Sequence, residues 1–218
     1  IALLLVGLAV KAQDEPVRTF AIDGQIGGAS SPHVKTISKG QYLIPEKVGS
    51  GYGMISKLRV EYYLPYTPLS LKAGYEHEEW NFLNTNSGDD MEIFSLGGRC
   101  YPGRKSWFVQ PYIGLDALYN FNGGSRVFSW ELNNDRYGRV RYDGMAHIPR
   151  FSLAPIAGVD LYLFSCIAIQ LEYSCRMGFS KASVIQAKYN HLSEPFEIRL
   201  RPIRHGFNIG LKVTFPFH

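Results

Sequence analysis

From Gly206 to the chain end, every second residue is large and apolar: Phe207, Ile209, Leu211, Val213, Phe215 and Phe217, with Asn208, Gly210, Lys212 and Thr214 between them. Side chains on a strand point alternately to two faces, so this segment has one greasy face and one wet face. Its length, about ten residues, is what a tilted strand needs to cross the hydrocarbon of a bilayer. The segment fits a wall with lipid on one side and a polar interior on the other.

Seven further segments repeat the pattern, each bounded by Gly, Pro, Asn or Asp: Phe20–Ala29, Tyr52–Leu64, Leu69–Glu79, Met91–Tyr101, Trp107–Tyr119, Arg150–Leu163 and Cys166–Gly178, with His205–Phe217 as the eighth. No helix-period segment of useful length competes with them. The connections sort by length. Pro65–Pro68, Pro102–Ser106 and Phe164–Ser165 are tight, whereas Ser30–Gly51, Asn120–Pro149 and Phe179–Arg204 are long and Phe82–Asp90 is intermediate. Strict alternation of short and long connections is the signature of an up-and-down transmembrane β-barrel with both termini on the periplasmic side and its long loops outside. The expected fold is therefore all-β, an antiparallel barrel of about eight strands.

One parity carries only lipid-compatible groups, such as Leu58, Val60 and Tyr62, Leu69 and Leu71, Ile113 and Leu115, or Ile167, Ile169 and Leu171. An Arg or Lys on that face near mid-membrane costs ~2–4 kcal/mol. The opposite parity collects the charges: Lys57, Arg59, Glu61, Lys72, Glu76, Asp116, Asp160, Glu172, Arg176 and Lys212 form the expected interior polar network, with Asp23, Glu78 and Arg99 on the same parity. These are roughly six cations against seven anions, and buried charges need partners. A barrel of about eight strands is filled by its own side chains, so a packed polar core is expected in place of a large open pore. Aromatic residues fall near the strand ends and read as two interfacial girdles, Tyr63, Tyr66, Tyr101, Trp107, Tyr162, Phe164, Phe215 and Phe217 by the short turns, and Tyr52, Trp80, Phe82, Tyr119, Phe121, Phe179 and Phe207 towards the long loops.

Bulk properties agree with this reading. Mean hydropathy is −0.11, which a barrel permits because only alternate wall residues meet lipid. The net charge of +4 is too small and scattered for a nucleic-acid groove. Ile1–Val10 is an apolar run too short to span as a helix, and Val10-Lys11-Ala12 has the small-residue pattern of a cleavage site. Residues 1–12 thus read as a secretory signal truncated at its start, and 13–218 as the barrel domain. Cys100, Cys166 and Cys175 lack metal-ligand spacing and are expected to be free thiols.

Pro111-Tyr112-Ile113-Gly114-Leu115-Asp116, Pro155-Ile156-Ala157-Gly158-Val159-Asp160 and Gly206-Phe207-Asn208-Ile209-Gly210-Leu211 resemble the repeated strands of porin-family outer-membrane β-barrel proteins. The likeness runs from about Phe20 to Phe217, and the Gln after the cleavage pattern resembles secreted proteins of Bacteroidetes-type bacteria. It implies residence in a Gram-negative outer membrane, contact with outer-membrane lipids and lipopolysaccharide, and insertion by the barrel-assembly machinery. The C-terminal Phe read by that machinery matches Phe217, here followed by His218.

Some small barrels of this class modify lipid A with a Ser and a His near the outer rim. His191-Leu192-Ser193-Glu194 is similar to such an element, since a His takes the Ser proton while a carboxylate orients the ring. His147 with Asp143 and Ser152 is a weaker set of the same kind. Gly49–Gly53 lacks the Lys and helix of a phosphate loop, and Ser87-Gly88-Asp89-Asp90 lacks a full calcium ladder and reads as a tight turn. No catalytic residues, metal or cofactor are expected. Arg126–Trp130 and Arg136–Tyr142 around Asn133-Asn134-Asp135 read as a hairpin carried beyond the membrane, and Glu197–Arg201 also alternates. Such raised strands would offer edges to an extracellular ligand or basic groups to lipopolysaccharide phosphates. The expected function is structural, adhesive or surface-binding, exerted by a monomer through its third and fourth long loops. Alternatives are an outer-leaflet lipid A-modifying enzyme using His191 and Ser193, a small passive porin, and a soluble lipocalin-like barrel, which would need an apolar interior.

Overall fold

The computed structural model describes residues 18–30, 34–36, 52–81, 88–103, 108–134, 138–178, 183–189, 192–200 and 203–216. The expected signal over 1–12, His191, and Phe217 with His218 lie outside them. The described residues form thirteen strands: β1 (Arg18–Ser30), β2 (Val34–Thr36), β3 (Tyr52–Tyr63), β4 (Leu69–Asn81), β5 (Gly88–Cys100), β6 (Val109–Asn120), β7 (Gly124–Asn134), β8 (Gly138–Ile148), β9 (Phe151–Tyr162), β10 (Ile167–Gly178), β11 (Ser183–Tyr189), β12 (Leu192–Leu200) and β13 (Ile203–Pro216).

Eight of them close a barrel in the order β1-β13-β10-β9-β6-β5-β4-β3, all antiparallel neighbours. Closure rests on β13 against β1, with Ile22 opposite Val213 and Asp23 opposite Lys212. Paired residues followed around the wall from Glu78 pass through Ile55, Gly27, Asn208, Glu172, Gly158 and Tyr112 to Tyr101, whose amide bonds the Pro68 carbonyl. The circuit returns to its starting wall about ten residues lower, a stagger that tilts the strands by ~35–45°. A closed wall leaves no backbone group unpaired in lipid, which is why this topology survives in a membrane.

The two faces follow the sequence parity. Leu58, Val60, Ile113, Leu115, Ile209 and Leu211 are exposed on the outside, while Asp23, Arg59, Glu61, Asp160 and Lys212 are buried inside. Ten to twelve tilted wall residues at ~3.3 Å each make an apolar belt about 25 Å tall, one bilayer core. Rings mark its limits: Phe20 stacks on Phe215 at 4.8 Å near the short turns, and Tyr119 meets Phe121 and Phe151 at 5.2 and 5.0 Å near the long connections. The girdle expectation needs correction at Tyr63, Tyr101 and Tyr162, which are buried inside the barrel. They lie on the lumen parity, so nearness to a strand end did not decide their direction.

The tight connections hold β3 to β4, β5 to β6 and β9 to β10. In the first, Leu64 and Leu69 bond across a turn whose third residue, Tyr66, takes φ 59°. The long connections are not plain loops. They carry β2, β7, β8, β11 and β12, which assemble into one five-stranded antiparallel sheet in the order β2-β12-β11-β8-β7. The expected hairpin is present as β7 and β8, but longer, and β5 begins at Gly88, so Gly88-Asp89-Asp90 is strand and not a turn. The three cysteines are free.

Candidate functional site

Two regions bear chemistry: the lumen and the raised sheet. The lumen is filled in layers. At the short-turn end, the Lys212 ammonium lies 2.7 Å from both Glu61 Oε2 and Asp160 Oδ2 and donates to the Tyr101 hydroxyl at 2.8 Å. Tyr101 in turn donates to Glu61 at 2.7 Å, and the Tyr63 and Tyr101 rings flank the ammonium at 5.2 and 5.1 Å. A charge taken out of water is tolerated only with this many partners.

Above this floor, Arg59 forks onto Glu172 at 2.9 and 3.1 Å and reaches Asp23 at 3.0 Å. Lys57 and the Tyr112 hydroxyl also donate to Glu172, at 2.9 and 3.1 Å, and Lys72 sits 2.8 Å from Asp23. Arg99 forks onto Asp116. Higher still, Arg176 bridges Glu76 and Glu78, and Arg204 forks onto Glu78 from the neighbouring strand. Apolar groups are buried beside these charges: Ile55 and Met91 pair with Glu78 and Ile93 with Glu76, and Leu118 and Ile156 are buried as well.

All ten residues assigned to the interior from parity point into this lumen and are buried. Those ten leave out Gln25, which donates to Gln170, and Gln170, which donates to Asp160, together with Arg204 and the buried tyrosines. Parity alone would have found them. What parity does not show is the packing of small against large. A side chain at Gly158 would collide with the Tyr112 ring, one at Gly114 with Arg99, and one at Gly74 with Arg59. These glycines make the room in which the long charged groups cross the barrel.

The raised sheet inverts the barrel's polarity. Between the wall pair Tyr119–Phe151 and the hairpin pair Gly124–Ile148 the ladder is broken, with Gly124 at φ 129° and Arg150 donating to the Gly123 carbonyl at 3.1 Å. Beyond this break the outward parity turns polar, with Ser125, Ser129, Glu131, Arg139 and Arg141 exposed, and the inward parity turns apolar, with Val140 and Ile148 buried. On the outward face Asp143 accepts from Arg141 at 2.9 Å, Ser129 at 2.8 Å and Lys188 of β11 at 3.0 Å. Those bonds hold its carboxyl well below the usual carboxylate range and raise the Arg141 guanidinium.

Of the two weak Ser–His sets, the one with His191 lies outside the described residues, and the one around His147 does not come together. His147 meets the Ser125 hydroxyl at 2.9 Å, while Asp143 is clasped as above and Ser152 lies on β9 opposite Gly178. Ser193 is placed only by its register, opposite Lys188.

No known protein family matches the sequence. No curated protein matches it either. Several solved structures show a likeness to it. Neisserial surface protein A is 16% identical with a TM-score of 0.48, covering 90% of this chain and 97% of that one. The outer membrane protein OprG of Pseudomonas aeruginosa is 13% identical with a TM-score of 0.48, covering 92% and 98%. The attachment invasion locus protein Ail of Yersinia pestis is 14% identical with a TM-score of 0.38, covering 91% and 100%. The chain is a closed eight-stranded β-barrel whose apolar belt and charged lumen suit it to span a bilayer.

Proposed function

We propose that this chain is an integral monomer of a bacterial outer membrane whose barrel serves as a sealed anchor and whose raised sheet makes contacts outside the cell. The role is structural, adhesive or surface-binding. The observation that carries it is the polarity inversion at the Gly123–Gly124 and Pro149–Arg150 break. A barrel that only spans has no use for a five-stranded sheet above its wall, with a β7–β8 hairpin that turns polar groups outward and buries Val140 and Ile148 inward. The filled lumen argues against a large open pore. Outer-membrane lipids and lipopolysaccharide are the proposed partners of the belt and its outer rim, and the barrel-assembly machinery the partner in biogenesis.

Two measurements test this. In a background with Cys100, Cys166 and Cys175 changed to Ser, Val127→Cys in intact cells should react with a membrane-impermeant maleimide. Protection from the reagent would place the sheet on the wrong side. In planar bilayers the purified protein should give no sustained ion current, and steady conductance would favour the small passive porin.

A further inference from the structure

The raised sheet continues the barrel wall upwards over only part of its circumference. β7 and β8 rise from β6 and β9, β11 and β12 connect β10 to β13, and β2 follows β1, whereas among the described residues no strand rises over β4 or β5. The sheet therefore ends on two edges, β2 and β7. Proteins blunt exposed edges with short strands, Pro, Lys or a covering segment, because an open row of amides and carbonyls recruits another strand. β2 is three residues long. β7 is eleven residues long and contains neither Pro nor Lys, and among the described residues nothing pairs with its outer side.

On this edge sits Val127, 79% exposed, more than any other large apolar side chain described, including those that face lipid. Its cross-strand partner Met145 is also exposed. The lipid-facing groups owe their exposure to the bilayer, but Val127 and Met145 lie beyond the break, on the polar side of the sheet. Four pairs further along, Glu131 stands exposed opposite Arg141, which donates to Asp143 and also feels the Glu131 charge.

We propose that β7 is a docking edge for an extended segment of another polypeptide, which adds antiparallel as a sixth strand with an apolar residue against Val127 and a basic residue against Glu131. This rests on the surface-contact reading above and names its partner. Main-chain bonds supply the attraction in strand addition, and alternate side chains supply the selectivity. A second copy in the same membrane does not fit, because every copy points β7 the same way and cannot offer it antiparallel.

The test uses the full chain in lipid nanodiscs and a fluorescein-labelled nine-residue peptide, with Arg, Thr and Val spaced to face Glu131, Ser129 and Val127, read by anisotropy. Saturable binding is expected, weakened at least about tenfold by Val127→Lys and by Glu131→Arg. A peptide with Glu in place of Arg should recover the second variant, and methylating alternate backbone amides along the docking side of the peptide should abolish binding. Both side chains lie outside the barrel, so the heat-dependent gel shift of a folded barrel checks that the variants fold. No saturation up to ~1 mM, equal binding by both variants, or binding by the methylated peptide overturns the proposal. So does crosslinking of Val127→Cys between copies in one nanodisc without peptide. If the peptide fails while Val127→Cys is labelled on intact cells, the docking edge falls and the surface reading stands. If labelling fails too, both fall.

Discussion

Lys212 shows how a single residue ties the wall to the lumen. It sits on the closing strand between lipid-facing Leu211 and Val213, yet its ammonium holds two carboxylates and a phenol together. Lys212→Met should destabilise the barrel by about 3–5 kcal/mol, because Glu61 and Asp160 are left buried without their cation. Adding Glu61→Gln and Asp160→Asn should return much of that loss, as measured by urea unfolding in lipid vesicles. Gly158→Val tests space instead of charge: the new side chain displaces Tyr112 from its bond to Glu172, at about 1–3 kcal/mol. At Asp143 the test is titration. A carboxyl held below its ordinary value of 3.8 keeps its clasp at full strength above that pH and loses it as the pH falls towards the folded value. Its carboxyl carbon should titrate below 3.8 by NMR, and Arg141→Ala should move the midpoint up.

The strands were legible as elements because each must serve two solvents at once. A wall residue is apolar or polar according to its parity, and a slip of one residue would present Lys212 and Glu172 to lipid. Leu115→Arg, near the middle of the belt, should therefore cost about 2–4 kcal/mol in vesicles, while Arg at the exposed, extramembrane Ser129 should cost little by comparison. β11 and β2 were not anticipated. Each is short and is stabilised by its neighbours in the raised sheet, β8 and β12 for β11 and β12 for β2, so its own sequence carries little signal.

At the scale of the molecule, one chain makes two kinds of β-structure stacked end to end. Below the break, lipid outside and charge inside; above it, the order reverses. The change needs no change of strand periodicity, only a local interruption at Gly123, Gly124, Pro149 and Arg150 and a swap of which parity is apolar. Arg150 pinned to the Gly123 carbonyl holds that junction at the outer mouth.

The amino-acid sequence by itself determined the barrel, its eight wall strands, the sorting of short and long connections and the faces of the charged residues. All of these are local consequences of alternation against lipid, so a reader needs only neighbouring residues to see them. Tertiary structure alone decided which charges meet. Arg59 finds Glu172, and Arg176 finds Glu76 and Glu78, across the lumen from strands distant in the chain. It also decided that glycines leave room for long side chains, and that separate long connections join into one sheet with β7 at its edge. Those outcomes depend on closure and stagger, which bring together residues that no spacing along the chain relates.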